Sequence, residues 1–176
     1  MAGFLGDGGP MAEKILVVDD ELDVRSVLQD FFTSVEYEVL TAATGEDALN
    51  LAERGGPKVI LLDVLMPGID GLETCKILKA REKTRGIPVI MMTGYGIMPA
   101  QAEMVEAEDL VFKPFNLGDL LMRVKAISKV GHLTNRVERL LAYMEELDKN
   151  LAGEREHSSR QRKGEESLPG YDSSPR

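Results

Sequence analysis

Five residues with chemically useful side chains stand directly after short apolar runs in this sequence. Asp19 and Asp20 follow one run, Asp63 ends a second, Thr93 follows a third and Lys113 a fourth. Such runs are typical of buried strands in a parallel sheet, whose ligands bind beyond the carboxyl ends of the strands. Taken singly, each residue also has an ordinary interpretation as a helix cap, a turn residue or a surface lysine. Together they predict one site that holds carboxylates, a hydroxyl and an ammonium group.

The predicted charge of this site indicates a metal ion. Three neighbouring carboxylates repel one another and raise one another's pKa unless positive charge compensates them. Lys113 supplies part of that charge, and a divalent cation with oxygen ligands would supply the rest. Mg²⁺ fits best, because it is bound by one or two carboxylates, keeps several waters and bridges to phosphate.

The elements that position these residues alternate between strand and helix. Apolar runs predict the strands, and apolar residues at helical spacing predict the helices between them. The predicted strands are 14–18, 37–42, 59–63, 88–92 and 110–112, and the predicted helices are 22–35, 44–54, 71–83, a brief 99–107, and one that starts after Asn116 as its N-cap. This order predicts an α/β fold, a five-stranded doubly wound parallel sheet with helices on both faces.

Four motifs in this order resemble the receiver domain of bacterial two-component response regulators, which has a flavodoxin-like fold. The motifs are Asp19-Asp20, Asp63-x-x-Met66-Pro67-x-x-Asp70-Gly71, Thr93-Gly94 and Lys113-Pro114-Phe115. The resemblance covers roughly Lys14 to Lys129, and the combination is far more specific than any one motif. It implies a switch that is phosphorylated on Asp63 by a sensor histidine kinase or a phosphotransfer protein.

The resemblance also implies a role for each site residue. Asp20, Asp63 and the backbone carbonyl of Leu65 would bind Mg²⁺, and Asp19 would act through water. Thr93 would be the switch residue, because its hydroxyl can bind a phosphoryl oxygen and shift the following loop. Lys113 would bind the phosphoryl oxygens, positioned by a cis peptide bond to Pro114.

Two positions bear on how the switch behaves. The family usually has Tyr or Phe three residues before the lysine, but this chain has Leu110 there, which predicts an altered output surface. Leu65 and Tyr95, two residues after the acceptor and the threonine, flank the path of hydrolytic water. Because both are bulky or apolar, we expect slow self-dephosphorylation.

The C-terminal part of the chain carries a different pattern. Apolar residues at Leu133, Val137, Leu140, Met144, Leu147 and Leu151 form a heptad seam. The predicted organisation is a flexible leader (1–12), a receiver domain (13–130), an amphipathic, coiled-coil-like helix (131–151) and a disordered tail (152–176). The seam could pair with a second copy, dock on a partner or fold back on the receiver domain.

Composition narrows the classes of partner. With 21 Lys and Arg against 30 Asp and Glu, the formal net charge of -9 argues against nucleic acid and anionic membranes as partners. One cysteine, Cys75, excludes an intramolecular disulfide. The absence of a secretory signal or a long apolar run makes a cytoplasmic location the expectation.

The interpretation favoured by these features is a receiver that signals through protein contacts without a DNA-binding output domain. It would catalyse only its own phosphorylation and dephosphorylation, and would otherwise not be an enzyme. The alternative is a phosphorylation-independent adaptor with the receiver fold, which the missing aromatic at Leu110 favours. A phosphatase of the haloacid dehalogenase type is disfavoured, because its second Asp would fall at Leu65.

Overall fold

The computed structural model describes residues 12–94 and 105–165, the last twelve by their backbone only. In the described residues, a helix follows each of the first three strands and the fifth, and the observed bounds agree with most predicted ones to within a few residues. The strands are β1 (Lys14–Val18), β2 (Glu38–Ala42), β3 (Val59–Asp63), β4 (Val89–Thr93) and β5 (Asp109–Phe112). The helices are α1 (Leu22–Ser34), α2 (Gly45–Gly55), α3 (Gly71–Ala80), α4 (Leu117–Val130) and α5 (Arg136–Glu165).

All five strands are parallel and form one sheet in the order β2-β1-β3-β4-β5. The central strand β3 and its neighbour β4 are buried along their whole length, which explains why their sequences are continuous apolar runs. The structure confirms the predicted fold class, a doubly wound parallel sheet followed by a C-terminal helix.

Helices cover the two faces of the sheet and build two cores. Leu16 and Leu62 point to the core beneath α2 and α3, whereas Val17 and Leu61 point to the core beneath α1 and α4. This alternation is the two-residue period of a strand. Packing on both faces therefore holds the sheet in place, and the carboxyl ends of its strands lie side by side along one edge.

The C-terminal helix α5 differs from its prediction at both ends. It begins at Arg136 rather than 131, because the Asn135 side chain accepts the N–H groups of Val137 (2.9 Å) and Glu138 (3.1 Å) and caps a new helix. Its backbone is helical to Glu165, beyond the predicted end at 151, whereas the sequence predicts a disordered tail from 152. The stretch 152–165 is rich in Glu, Arg, Lys and Gln, which have high helix propensity.

Folding back on the receiver domain, one of the three alternatives for this helix, is what the structure shows. The contact uses part of the predicted seam, because Leu133 and Leu147 pack against the core beneath α1 and α4. Tyr143 (3 % exposed), which is outside the seam, packs into the same core, and Arg139 is also buried. The seam residues Val137 and Met144 stay largely exposed, at 64 % and 63 %. Pairing of this exposed stripe with a second copy or a partner stays a prediction.

Some predictions fall on residues that the structure does not describe. The leader through residue 11, most of the predicted helix 99–107, and the tail from 166 lie outside the described residues. Within the described ranges, none of the helices combines the length and apolarity that crossing a bilayer would require.

Candidate functional site

The parallel sheet brings the predicted site residues to one edge. Asp63 is the last residue of β3 and Thr93 the last of β4, while Asp19 follows β1 and Lys113 follows β5. Asp19 and Thr93 are fully buried and Asp63 is 3 % exposed, whereas Asp20 lies at the surface. The strand ends thus deliver a half-buried polar site, as the sequence predicts.

Lys113 connects the two buried carboxylates. Its Nζ lies 2.6 Å from Asp19 Oδ2 and 2.8 Å from Asp63 Oδ1, and the more distant Glu21 Oε1 is 4.0 Å away. One ammonium group therefore bridges strands β1 and β3 across the mouth of the site. The positive charge stands where an incoming oxyanion at Asp63 would need it.

Asp19 is held by contacts from its own loop and from α1. The Glu21 N–H donates to Asp19 Oδ1 (3.0 Å), and the Arg25 side chain donates to the Asp19 carbonyl oxygen (2.7 Å). The Asp19 N–H in turn donates to the carbonyl of Ala42 (3.2 Å). The direction of the Asp19 carboxylate is thus fixed by the fold before any ligand arrives.

The loop after Asp63 closes tightly onto α3, and Gly71 makes this possible. The Gly71 N–H donates to the Val64 carbonyl (2.9 Å), and a Cβ on Gly71 would lie 2.1 Å from the Asp63 carbonyl oxygen. Asp70 caps α3 by accepting the N–H of Glu73 (2.8 Å). The Asp-Gly pair of the motif therefore serves the geometry of the loop that carries Asp63.

Burial and charge act together on the ionisation of the site. Burial raises the pKa of Asp63, and the charges of Asp19 and Asp20 raise it further, while Lys113 opposes both. Burial lowers the pKa of Lys113, but its hydrogen bonds to Asp19 and Asp63 outweigh this and leave it raised. The ammonium is thus held charged, while the carboxylates keep an excess of negative charge.

The arrangement of carboxylates fits a divalent cation. One oxygen each from Asp19, Asp20 and Asp63 can be chosen so that all three lie within 4.8 Å of one another. Lys113 neutralises only part of their charge, and hard oxygen donors of this kind are what Mg²⁺ prefers. The observation supports these three residues as a metal site; the role of the Leu65 carbonyl stays a prediction.

Thr93 and Lys113 are joined through the backbone at the ends of β4 and β5. The Lys113 N–H donates to the Thr93 carbonyl (2.7 Å), and the Thr93 hydroxyl donates to the Gly94 carbonyl (3.1 Å). The Lys113–Pro114 peptide bond is cis, as expected from the sequence. The hydroxyl would have to leave the Gly94 carbonyl in order to bind a new acceptor.

Leu110, which stands where the family usually has an aromatic residue, packs as an ordinary core side chain. Leu110 is partly buried and packs against the core beneath α2 and α3. By strand alternation Phe112 points to the same side of β5, but it is 53 % exposed. The role of Leu110 as an altered switch position stays a prediction. Tyr95 lies outside the described residues.

Sequence reasoning missed a buried ionic network at the other end of β5. The Glu108 side chain, fully buried, accepts from Lys79 (2.8 and 2.9 Å), from Arg139 (2.6 Å) and from the Val89 N–H (2.7 Å). The available signal in the sequence was the acidic pair Glu108-Asp109 at the start of a predicted strand. A carboxylate is rarely buried without a partner, so this pair predicts cationic partners elsewhere in the chain.

The next residue, Asp109, forms a second polar contact with α5. Its Oδ2 accepts from the Tyr143 hydroxyl and from Arg123, and its Oδ1 accepts the N–H of Leu110. Two consecutive acids, Glu108 just before β5 and Asp109 as its first residue, therefore hold the same helix through Arg139 and Tyr143, which are spaced four residues apart.

Comparison with known proteins places this geometry in a family. The family described as "Response regulator receiver domain" matches residues 15–125. Similar relatives include the "Probable transcriptional regulator ycf27" of Cyanophora paradoxa, 39% identical over 117 residues that cover 65% of this chain and 48% of the relative. The "Alkaline phosphatase synthesis transcriptional regulatory protein PhoP" of Bacillus subtilis is 40% identical over 119 residues, covering 66% and 49%. The chain spans about half the length of the curated relatives it matches.

Solved structures give the same result. A putative response regulator from Chloroflexus aurantiacus has a TM-score of 0.63 and 35% identity, with 67% of this chain and 98% of that chain covered. The chemotaxis protein CheY4 of Vibrio cholerae has a TM-score of 0.61 and 31% identity, with 65% and 97% covered. The chain therefore belongs to the response regulator receiver domain family.

Proposed function

We propose that this protein is a phospho-accepting switch in a two-component phosphorelay, phosphorylated on Asp63 by a histidine kinase or a phosphotransfer protein. The observation that carries the proposal is the contact of Lys113 Nζ with two carboxylates, those of Asp63 at the end of the central strand and of Asp19 after β1. The only chemistry proposed is the protein's own phosphorylation and dephosphorylation. A cytoplasmic location belongs to the same proposal.

In the proposed reaction, a carboxylate oxygen of Asp63 attacks the phosphorus of a phosphohistidine. A P–O bond forms and the P–N bond breaks, and the electron pair of that bond leaves with the imidazole of the donor. Nucleophile and donor are both anionic, so catalysis consists mainly of alignment and charge neutralisation. Lys113 binds the phosphoryl oxygens, and Asp19 holds Lys113 in place.

Mg²⁺ is part of the proposal. Asp20 and Asp63 would hold it together with the Leu65 carbonyl, and Asp19 would act through water. When bound, the ion neutralises charge on the phosphoryl group and orients it for in-line attack. Asp19 and Asp20 would then no longer repel a third anion at Asp63.

An apolar groove beside the site supports docking of a donor protein. The groove measures about 610 Å³ and lies between α1 and the start of α4, with Val24, Val27, Pro114 and Phe115 among its lining residues and Lys113 at its end. Leu22, next to it on α1, is 66 % exposed. Such a groove fits the apolar face of a helix, which would present its phosphohistidine to Asp63.

The test is phosphorylation by acetyl phosphate with Mg²⁺, read by intact mass. We expect one phosphoryl adduct on the wild type and none on Asp63→Asn. Asp30→Asn is the matched control, because Asp30 is an exposed carboxylate of α1. Lys113→Gln is expected to slow the reaction while leaving the fold intact.

No adduct on the wild type, either with acetyl phosphate or with a panel of phosphorylated histidine kinases, would contradict the proposal. An adduct that persists in Asp63→Asn would contradict the assignment of the acceptor.

The adaptor alternative is favoured by one observation, the aliphatic Leu110 packed in the place of the usual aromatic. The two functions differ in what phosphorylation changes. In a switch, beryllofluoride with Mg²⁺ shifts the NMR resonances of Thr93 and of β5. An adaptor binds its target equally well with and without beryllofluoride.

We also propose that the signal leaves through protein contacts, with homodimerisation through 131–151 as one route. The exposed stripe of Val137, Leu141 and Met144 on α5 supports this. Sedimentation at two protein concentrations, with Met144→Glu as the variant, tests it. The expectation that no DNA-binding domain belongs to the protein stays a prediction, since two relatives are named as transcriptional regulators.

The lifetime of the phosphorylated state is a further part of the proposal. Leu65 is 61 % exposed beside the acceptor and would hinder hydrolytic water, so we expect slow loss of phosphate. A Leu65→Asn, Tyr95→Ala double variant is expected to lose it faster. Faster loss from the wild type than from the variant would contradict this.

A further inference from the structure

A cleft of about 660 Å³ lies where α5 meets the receiver fold, at the edge of the sheet opposite Asp63. It is bounded by the end of α3, the loop before β4, the turn before β5 and the first turns of α5. Its charged lining residues are Lys79, Arg85, Arg136, Arg139, Glu82 and Glu106. Four cations thus converge from three separate parts of the chain, against two carboxylates.

Two of these cations carry buried donors without a partner. Among the described residues, Arg136 Nε and Arg139 Nε are buried and make no hydrogen bond, and they are two of the three side-chain atoms of that kind. Arg139 is 4 % exposed. A buried N–H that stays unpaired is costly, and native proteins nearly always satisfy it with protein, water or ligand. Both orphan donors belong to residues that line the same cleft.

The remaining charges show how much of the cleft is already neutralised. Lys79 and Arg139 share the buried Glu108, at 2.8 and 2.6 Å. Within the described part of the chain, Arg136 donates only to the Ala107 carbonyl, at 3.3 Å, and neither Arg85 nor Arg136 forms an ion pair. The guanidinium groups of Arg85 and Arg136 are therefore the ones available to an incoming anion.

We propose that this cleft binds the phosphate group of a small molecule. Guanidinium groups match the geometry of phosphate oxygens and bind them with paired, charge-assisted hydrogen bonds. The volume falls in the range of small-molecule sites, roughly 300 to 1,000 Å³, and exceeds what a lone phosphate would fill. The ligand is thus a phosphorylated molecule of about mononucleotide size, bound independently of Asp63.

The location gives such a ligand a structural consequence. Its phosphate would join Arg85, in the loop before β4, to Arg136, in the first turn of α5. The ligand would therefore fasten the C-terminal helix to the receiver fold, and its binding would stabilise the docked helix against local opening.

The test uses the full chain with Asp63→Asn and without Mg²⁺, so that binding at the acceptor site does not contribute. Inorganic phosphate and adenosine monophosphate are the probes, measured by titration calorimetry. The NMR resonances of the arginine Nε–H groups provide the second readout, because the orphan group of Arg136 should shift when it gains an acceptor.

We expect adenosine monophosphate to bind more tightly than inorganic phosphate and to shift the Arg136 Nε–H resonance. Arg85→Gln and Arg136→Gln should each weaken binding about tenfold or more, which corresponds to about 1.4 kcal/mol. Arg54→Gln, the same change at an exposed position of α2, should leave the affinity unchanged.

Equal affinity in all three variants would overturn the proposal. It would also be overturned if neither probe bound. In both cases ordered water would be the partner of the two arginines. Neither outcome affects the proposed phosphorylation of Asp63, because that residue is replaced throughout.

Discussion

Replacing Arg139 by Met tests whether a buried ion pair holds α5 on the receiver fold. Met keeps much of the length of the Arg stem but removes its donors. The change breaks the 2.6 Å contact to Glu108 Oε1 and the 3.0 Å hydrogen bond to the Leu133 carbonyl. Both side chains of the pair are almost fully buried, at 5 % and 0 % exposure.

The expected loss of unfolding free energy follows from the contacts that Glu108 retains in the variant. Removing one partner of a buried pair costs about 3–5 kcal/mol when the other charge is left uncompensated. Here Lys79 and the Val89 N–H still contact Glu108, so we expect the low end, about 3 kcal/mol. At roughly 2–4 °C per kcal/mol, the melting temperature should fall by about 6–12 °C.

Urea unfolding followed by circular dichroism measures the loss, and hydrogen exchange shows where it falls. Amides of α5 near Tyr143 should exchange faster, and those of β3 should change least. Arg123→Met is the control, because its pair with Asp109 is more exposed, at 34 % for the Arg side chain, and should cost about 1 kcal/mol or less.

The reasoning would be refuted if Arg139→Met cost no more than Arg123→Met. It would also be refuted if the amides of α5 kept their protection while stability fell, because the ion pair would then not be what docks the helix.

Three further predictions follow from single contacts. Gly71→Ala should destabilise the fold by about 3 kcal/mol or more, judged by urea unfolding, since its Cβ would lie 2.1 Å from the Asp63 carbonyl oxygen; a change under about 1 kcal/mol would contradict this. Burial raises the pKa of the Cys75 thiol to about 12, so a disulfide reagent at neutral pH should react only after unfolding, and rapid reaction of the folded protein would be inconsistent with it. Burial and Asp109 raise the pKa of Tyr143 above the ordinary 10.0, so its contribution to stability is full below about pH 10 and is lost as the pH rises further; Tyr143→Phe should flatten that decline in alkaline urea unfolding, and an unchanged slope would argue against it.

The sequence was most informative where local pattern and burial agree. β3 and β4 are buried along their whole length, so apolar runs alone define them, and the residue that ends each run had to lie at the edge of the sheet. Asp63 and Thr93 were therefore placed correctly relative to Lys113, although 94 residues separate Lys113 from Asp19.

The docking face of α5 was only partly predictable by the same method. Apolar periodicity selected Leu133 and Leu147, which do pack against the core, but also Val137 and Met144, which are exposed. The most deeply buried positions, Arg139 and Tyr143, were not selected. Their burial depends on Glu108 and Asp109, which are 31 and 34 residues away in the chain and read as part of an acidic loop. An ion pair between residues far apart in the chain produces no hydrophobic periodicity, so a single sequence does not reveal it.

The length of α5 has a mechanical consequence. Its docked turns end near Asn150, and the backbone helix continues for 15 residues to Glu165, about 22 Å at 1.5 Å per residue. A rigid helix of this length amplifies any tilt about its docked part, which is its pivot. A tilt of about 10° at the pivot moves the far end by about 4 Å, so a small rearrangement at Glu108 and Asp109 becomes a displacement as large as a side chain.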